Sequence, residues 1–493
     1  MSHVVVIGAG VGGLTAAARL AMAGHRVTVF ERSGVVGGKL GRYERAGFRF
    51  DTGPGLLTLP QVFAGLKLGL APVPLDPIAR HVFPDGTVLD SCADPDTFAA
   101  RVRSALGPAA AREWAGLWRR AARIWETSWA HVLRAEVASP LALAPLAARL
   151  PDLAAVRPGQ TLRGLGVRDP RLRMLVDRYA TYAGADPRRA PAALLAVPYA
   201  ELAFGGWYLP GGLATLADAL LSRCLDLGVV VATDAPVTAI DAAGGRVRGV
   251  RVAGARVAAD AVVSNVDALT LYRDLLPTPR RLARLADRSL AGFVLLLGVR
   301  GATGHAHHTV YFPADHDAEF DAVFGDPGRG VRARPAADPT VYVTVAGDPT
   351  VRPAGHEAWF VLVNAPRQGT AAGAVDWRRP GLADAYADHV LDVLAARGVD
   401  VRDRLVFREA RTPADLADAT GAPGGAIYGT AGGLLRTPNR GPVAGLYLVG
   451  GSTHPGGGLP MVALSADIVT RLFPRGQPSG GVTQESSPLG REL

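Results

Sequence analysis

Cysteine is almost missing: Cys92 and Cys224 are the 2 in 493 residues, far apart, and neither has a C-x-x-C neighbour. That excludes a disulfide framework and a cysteine-based zinc site, and it suits a reducing, cytoplasmic setting. No apolar run reaches the roughly 18 residues a membrane-spanning helix needs. The first apolar run begins at Val4, so no secretory leader is expected ahead of it. Basic blocks and nucleic-acid-binding motifs are absent, the arginines being dispersed, so no nucleic-acid partner is expected. The surplus of 53 Lys+Arg over 44 Asp+Glu, a net charge of +9, points either to an anionic surface such as phospholipid or to a scattered solvated face. There is no G-x-S-x-G nucleophile elbow and no internal repeat. His305, His307 and His308 lie close together, but no carboxylate shares a ligand spacing with them and neighbours on a strand point to opposite faces, so no metal is expected.

What remains describes a packed globular chain, 48% hydrophobic and 20% charged, long enough for two or three domains. Its 60 glycines and 37 prolines signal many tight turns rather than disorder. Val4-Val5-Val6-Ile7 runs into Gly8-Ala9-Gly10-Val11-Gly12-Gly13, an apolar strand feeding a G-x-G-x-x-G turn. Gly8 permits the turn, Gly10 lets backbone approach a pyrophosphate, and Gly13 lets the next helix pack on the strand. That helix is predicted over Leu14 to Ala23 with Gly24 as its cap, its first N–H groups free for phosphates. A second strand, Arg26 to Phe30, ends at Glu31, 18 residues beyond Gly13, where a carboxylate binds ribose hydroxyls. Strand, glycines, helix, strand and acid together predict a dinucleotide site.

The next glycines narrow the ligand. Gly37-Gly38-Lys39-Leu40 brings backbone N–H groups and a cation close behind Glu31, which fits a longer ligand bound extended, FAD, better than a nicotinamide. Phe48 to Gly55 reads as a strand into a tight turn carrying Asp51, Gly53 and Pro54. Far downstream, the strand Gly445 to Gly451 runs into Ser452 to Met461 and then a helix from about Val462 to Phe473. Two glycine-rich strand-to-helix junctions are best explained by one extended cofactor. The second helix N-terminus would then face the flavin pyrimidine oxygens.

Between these ends, residues 94 to 184 have helical periodicity broken near Pro140, Pro145, Pro151 and Pro158. Trp114, Trp118, Trp125 and Trp129 fall on one stripe, opposite Arg119, Arg120 and Arg123. The stripe reads as core packing, a membrane-interface face or the wall of an apolar substrate channel. Asp260 to Asn265 reads as a buried strand returning to the first domain, and the chain beyond Arg475 as a disordered tail.

The fold class expected is α/β: a Rossmann-like FAD-binding domain assembled from residues 1–70, 205–270 and 407–475, an α+β substrate domain from 71–93 and 271–406, a mainly helical insertion at 94–204, and a tail at 476–493.

From about residue 3 to 473 the chain resembles the carotenoid (phytoene) desaturases of the FAD-dependent amine-oxidase superfamily. The resemblance rests on Gly8 to Arg32, Gly37-Gly38-Lys39, Asp51-Thr52-Gly53-Pro54, Pro210-Gly211-Gly212, Gly347-Asp348-Pro349 with Pro353 to Glu357, and Leu448 to Gly456. It implies an FAD site formed by Gly8, Gly10, Gly12, Gly13, Glu31, Arg32, Gly38, Lys39, Leu40, Gly53, Pro54, Val237, Gly450, Gly451, Gly458, Leu459 and Met461. In that site Val237 packs against the adenine. Arg178 to Gly184 and Gly425 to Gly429 look closer to desaturases of hydroxylated carotenoids, and the segment Gly429 to Pro438 is shorter than the family commonly has.

The implied reaction removes a hydride and a proton from adjacent carbons of a lipophilic polyene, with FAD as hydride acceptor. His454 beside the flavin site is the candidate catalytic base, or else it orients its loop. Amine oxidation on the same fold, and isoprenoid binding without chemistry, are the competing readings. The enzyme is expected to be cytoplasmic and attached peripherally to an anionic membrane.

Overall fold

A computed structural model describes residues 1–137, 159–431 and 436–473. The proline breaks near Pro140, Pro145, Pro151 and Pro158, part of the Gly429–Pro438 segment and the tail lie outside the described residues.

The apolar run His3–Ile7 is the middle strand of a five-stranded parallel sheet in the order Val230–Ala232, Arg26–Phe30, His3–Ile7, Ala261–Ser264, Leu446–Leu448. A strand covered on both faces must be apolar at every position. Val4 and Val6 join a core built from the helices Val11–Met22, Thr215–Asp226 and Leu459–Leu472, whereas Val5 and Ile7 face Ile240, Val247 and Val250 of the antiparallel meander Val237–Ala258. Gly13 makes the helix contact possible, because a β-carbon there would lie 2.0 Å from the Gly8 carbonyl oxygen.

A second, seven-stranded sheet carries Leu405–Arg411, Ala291–Arg300, His356–Ala365, Val341–Val345, His308–Tyr311, Arg80–Val82 and Val88–Asp90, in that order. The boundary expected at residue 407 therefore moves: Leu405–Arg411 pairs with Ala291–Arg300, and the chain rejoins the parallel sheet only at Leu446. Phe293, Leu295, Leu297 and Val299 pack on the helix Leu382–Ala396. The alternate residues, among them Leu296, Phe360, Tyr342, Thr344 and His308, share the opposite, inner face through directly opposed pairs.

The insertion packs Pro95–Leu106, Pro108–Ser128, Pro170–Arg178 and Ala196–Phe204. Its tryptophan stripe faces inward. Trp114 stacks edge-on to Phe98 at 5.1 Å, Trp118 lies 4.7 Å from Tyr199, and Trp125 lies 5.1 Å from Trp129 and 5.4 Å from Phe204. The stripe is thus an aromatic interior wall, and the membrane-facing role considered for it does not hold. Among the described residues no helix is long and apolar enough to cross a membrane.

Candidate functional site

The first fingerprint closes on itself as its residue types require. Gly8 has φ +93°, a left-handed conformation favouring glycine. The Glu31 carboxylate is buried and accepts the Ala9 amide at 2.7 Å together with the Ser33 amide at 3.0 Å and hydroxyl at 2.9 Å. Fixed in this way at the strand end, it presents a negative charge beside the Gly8–Gly13 turn. Gly37 donates to the Ala9 carbonyl at 2.9 Å, and a β-carbon on Gly38 would meet Gly10 Cα at 3.3 Å, so the second glycine pair lies on the first. Gly53 is pressed against the Lys39 carbonyl, where a β-carbon would come within 2.1 Å. Leu40 is buried and Pro54 exposed in the same region. The Ala235 amide pairs with the Glu31 carbonyl at 2.8 Å, which sets Val237, two residues on and half-buried, near the same strand end.

The two glycine-rich junctions meet at a residue the motifs did not single out. A β-carbon on Gly12 would lie 2.6 Å from Asn265 Oδ1 and 3.2 Å from Gly450 Cα, and one on Gly450 would also reach Asn265 Oδ1 at 2.6 Å. Asn265 follows the returning strand Ala261–Ser264, at the carboxyl end of a parallel sheet where ligands bind; that position was the available signal. Gly451 folds back towards Gly457, Gly458 has φ +98°, and Leu459 and Met461 open the helix behind them. The Tyr428 ring covers Gly457 so closely that a β-carbon there would lie 2.3 Å from Cδ1.

Charge supplies the test of fit for FAD. Lys39 Nζ donates to the Ala426 carbonyl at 2.8 Å and the Ile427 carbonyl at 2.6 Å, and burial lowers its pKa to about 8 despite nearby Asp267. Arg288 pairs with Asp267 at 2.6 Å in the interior, while its Nε and Nη1 are buried with no partner among the described residues. Burial, reinforced by Arg288, lowers Arg436 to about 10; its guanidinium donates to the carbonyls of Tyr428, Thr430 and Ala183. Lys39 and Arg288 thus flank Asp267 while Arg436 stands beside Arg288, and buried charge without a counter-charge is costly. A doubly anionic pyrophosphate is the partner this arrangement fits. Sequence spacing could not reveal Asp267, Arg288 and Arg436, because the fold brings them in from outside every motif.

Arg32 does not join this group. Its Nη2 donates to the Asp418 carbonyl at 2.6 Å and its guanidinium lies against Gly421, so it secures a helix end. The His454 ring is buried, with Nε2 3.0 Å from the Val132 carbonyl and 3.1 Å from that of Ala135, and burial lowers its pKa. That nitrogen is therefore a donor to backbone, and Nδ1 has no partner among the described residues.

Next to the Asp51–Gly55 turn, a cavity is lined by Asp51, Gly53, Gly55, Tyr208, Thr344 and Phe360, the last two on the inner sheet face. Asp51 accepts the amides of Leu213 and Ala214, each at 2.8 Å, and burial raises its pKa to about 6. Tyr208 donates to Asp348 at 2.9 Å, which also accepts the Gly211 amide at 2.7 Å. Among the described residues no group of three or more His, Cys, Asp or Glu is arranged to hold a metal ion.

Comparison with known proteins agrees with the geometry. The family model described as flavin containing amine oxidoreductase matches residues 11–297. The chain is 33% identical to 4,4'-diapolycopene oxygenase of Methylomonas sp, covering 95% of this chain and 97% of that protein. It is 28% identical to 1-hydroxycarotenoid 3,4-desaturase of Flavobacterium sp. (strain P99-3), covering 96% and 99%. Its fold is shared with an oxidoreductase from Methanosarcina mazei at a TM-score of 0.64 and 18% identity, over 95% of this chain and 100% of that one. The chain belongs to the flavin-containing amine oxidoreductases, in their carotenoid-desaturase-like branch, and is an FAD-dependent oxidoreductase.

Proposed function

We propose that the enzyme is a carotenoid desaturase, introducing carbon–carbon double bonds into a long isoprenoid polyene, with 3,4-desaturation of a hydroxycarotenoid as the finer reading. The observation carrying it is the aromatic wall that Trp118, Trp125, Tyr199 and Phe204 form in the helical insertion. An aromatic wall offers a cationic amine no counter-charge at low dielectric, whereas a neutral polyene needs none. Similarity over nearly the whole chain to a diapolycopene oxygenase and a hydroxycarotenoid desaturase favours the same substrate class.

Bound FAD supplies the two-electron oxidant and hydride acceptor. The chain has to hold the polyene and keep water out. Trp118, Trp125, Tyr199 and Phe204 form an aromatic wall suited to an extended apolar chain. Positive charge spread over a polyene acidifies the neighbouring C–H, so a strong base is unnecessary. His454, with Nε2 committed to two carbonyls, orients its loop. A net charge of +9 favours collecting this substrate from an anionic bilayer surface.

The test is the pigment profile, by chromatography with absorbance spectra, of cells supplying either phytoene or a hydroxylated carotenoid and expressing this chain. Products absorbing at longer wavelength are expected. Unchanged pigments beside flavin-loaded protein that oxidises amines would overturn the proposal. Co-sedimentation with anionic but not neutral liposomes tests the membrane contact.

A further inference from the structure

Away from the glycine loops, the helices Pro170–Arg178 and Ala196–Phe204 bring a guanidinium and a carboxylate into the interior without joining them. Arg178 is 4% exposed and Glu201 1%. Tyr179 stands between them: its hydroxyl donates to Glu201 Oε1 at 2.8 Å, and its ring centroid lies 4.9 Å from the Arg178 guanidinium carbon. Arg178 donates to the Tyr182 hydroxyl at 2.5 Å and contacts His81 Nε2 at 3.3 Å. Burial and the Arg178 charge push His81 down to about 3, so it is neutral. Its Nδ1–H donates to the Leu89 carbonyl, leaving Nε2 as an acceptor for the guanidinium. Glu201 Oε2 is different. It is buried and accepts no hydrogen bond among the described residues.

A buried carboxylate oxygen left unsatisfied is costly, and it calls for a donor. The cluster's position says where that donor would come from. The Arg178 guanidinium lies 5.9 Å from the ring centroid of Tyr342, whose hydroxyl is 2.8 Å from His308 Nδ1. Tyr342 and His308 belong to the inner sheet face, and His308 Cε1 lies 3.4 Å from where a β-carbon on Gly55 would sit, at the edge of the cavity beside the Asp51–Gly55 turn. On its other side, Gly184 at the end of the same helical segment touches the Tyr428 ring, which covers Gly457. The cluster therefore sits between the two glycine segments expected at the flavin end of the site. A cationic donor would meet the Arg178 charge. A neutral hydroxyl can donate to Glu201 while its oxygen faces the guanidinium.

We infer that Arg178 and Glu201 form a subsite for a hydroxyl group on the polyene, which makes them specificity-determining residues. This rests on the carotenoid reading above and goes beyond it by assigning the polar end of the substrate to named groups.

The test titrates flavin-loaded protein in detergent micelles with a monohydroxylated polyene and with its parent hydrocarbon, reading the shift of the polyene band and the quenching of tryptophan fluorescence. A site built to hydrogen-bond a hydroxyl rejects the analogue lacking it, so a preference of at least about tenfold is expected. In Glu201→Met and in Arg178→Met, each retaining its flavin, that ratio should fall to near one. A merely structural role would lower both affinities together and leave the ratio alone. If Arg178→Met loses its flavin, Glu201→Met decides. Equal affinities in the wild type, or a ratio that survives in the variants, overturn the subsite and leave the carotenoid reading standing; binding of neither polyene overturns both.

Discussion

Gly12 lies directly against the amide of Asn265: a β-carbon on this glycine would sit 2.6 Å from Oδ1, with Val462 Cγ1 at 2.9 Å and Gly450 Cα at 3.2 Å. Two glycine-rich junctions more than four hundred residues apart thus share one asparagine. Gly12→Ala should therefore push Asn265 and Val462 out of place against the Gly450 backbone, and it should purify with a flavin-to-protein absorbance ratio well below wild type. Gly24→Ala is the internal comparison, since nothing lies within 4 Å of its added carbon, although its φ of +84° makes it mildly strained. It should keep its flavin.

Glu31 holds the Ala9 and Ser33 amides at the strand end, the position whose carboxylate binds ribose hydroxyls in dinucleotide sites. Glu31→Ala removes charge-assisted hydrogen bonds worth roughly 1.5–3 kcal/mol each, so FAD affinity should fall about tenfold to a hundredfold. Dialysis against apoprotein, followed by flavin titration, measures it.

Burial gives Lys39 a folded-state pKa of about 8, below its unfolded value of about 10.4. Between those values the unfolded chain binds more protons than the folded one, so this residue's contribution to the stability of the flavin-free protein rises with pH across that window. In denaturant melts from pH 8 to 10, the stability of the wild type relative to Lys39→Met should increase. A difference that stays flat or falls would contradict the burial of this ammonium.

His454 offers Nε2 to the carbonyls of Val132 and Ala135 and has no partner at Nδ1 among the described residues. His454→Gln keeps a donor and should preserve the pH–rate profile while lowering the melting temperature by a few degrees. His454→Ala should lose about 1–3 kcal/mol of stability through unpaired buried carbonyls. If His454 were the base, both variants would instead remove an ionisation from the profile.

Trp125 is buried against Trp129 and Phe204. Trp125→Ala should cost about 3–5 kcal/mol in a thermal or denaturant melt. Binding to anionic liposomes by the fraction that stays folded should be unaltered, because the ring faces the interior.

Sequence by itself determined the nucleotide-binding half of the molecule. Gly8, Gly13, Glu31 and the strands around them act over distances of a few residues, where turn geometry, helix packing and strand period leave few choices. The same holds for the junction at Gly450 to Leu459, and the likeness of its pattern to the first was enough to suggest one shared cofactor. Tertiary structure alone decided which way the tryptophan stripe faces, since a helix wheel gives a face and not its neighbour. It also decided that Leu405–Arg411 belongs to the second sheet, that Arg32 serves a helix end, that Asn265 stands against both glycine junctions, and that Arg288, Arg436, Arg178 and Glu201 are buried in the interior. Asn265, Arg288, Arg436 and Glu201 carry no motif. Their placement comes from burial and from partners on other segments of the fold, and spacing along the chain does not encode such contacts.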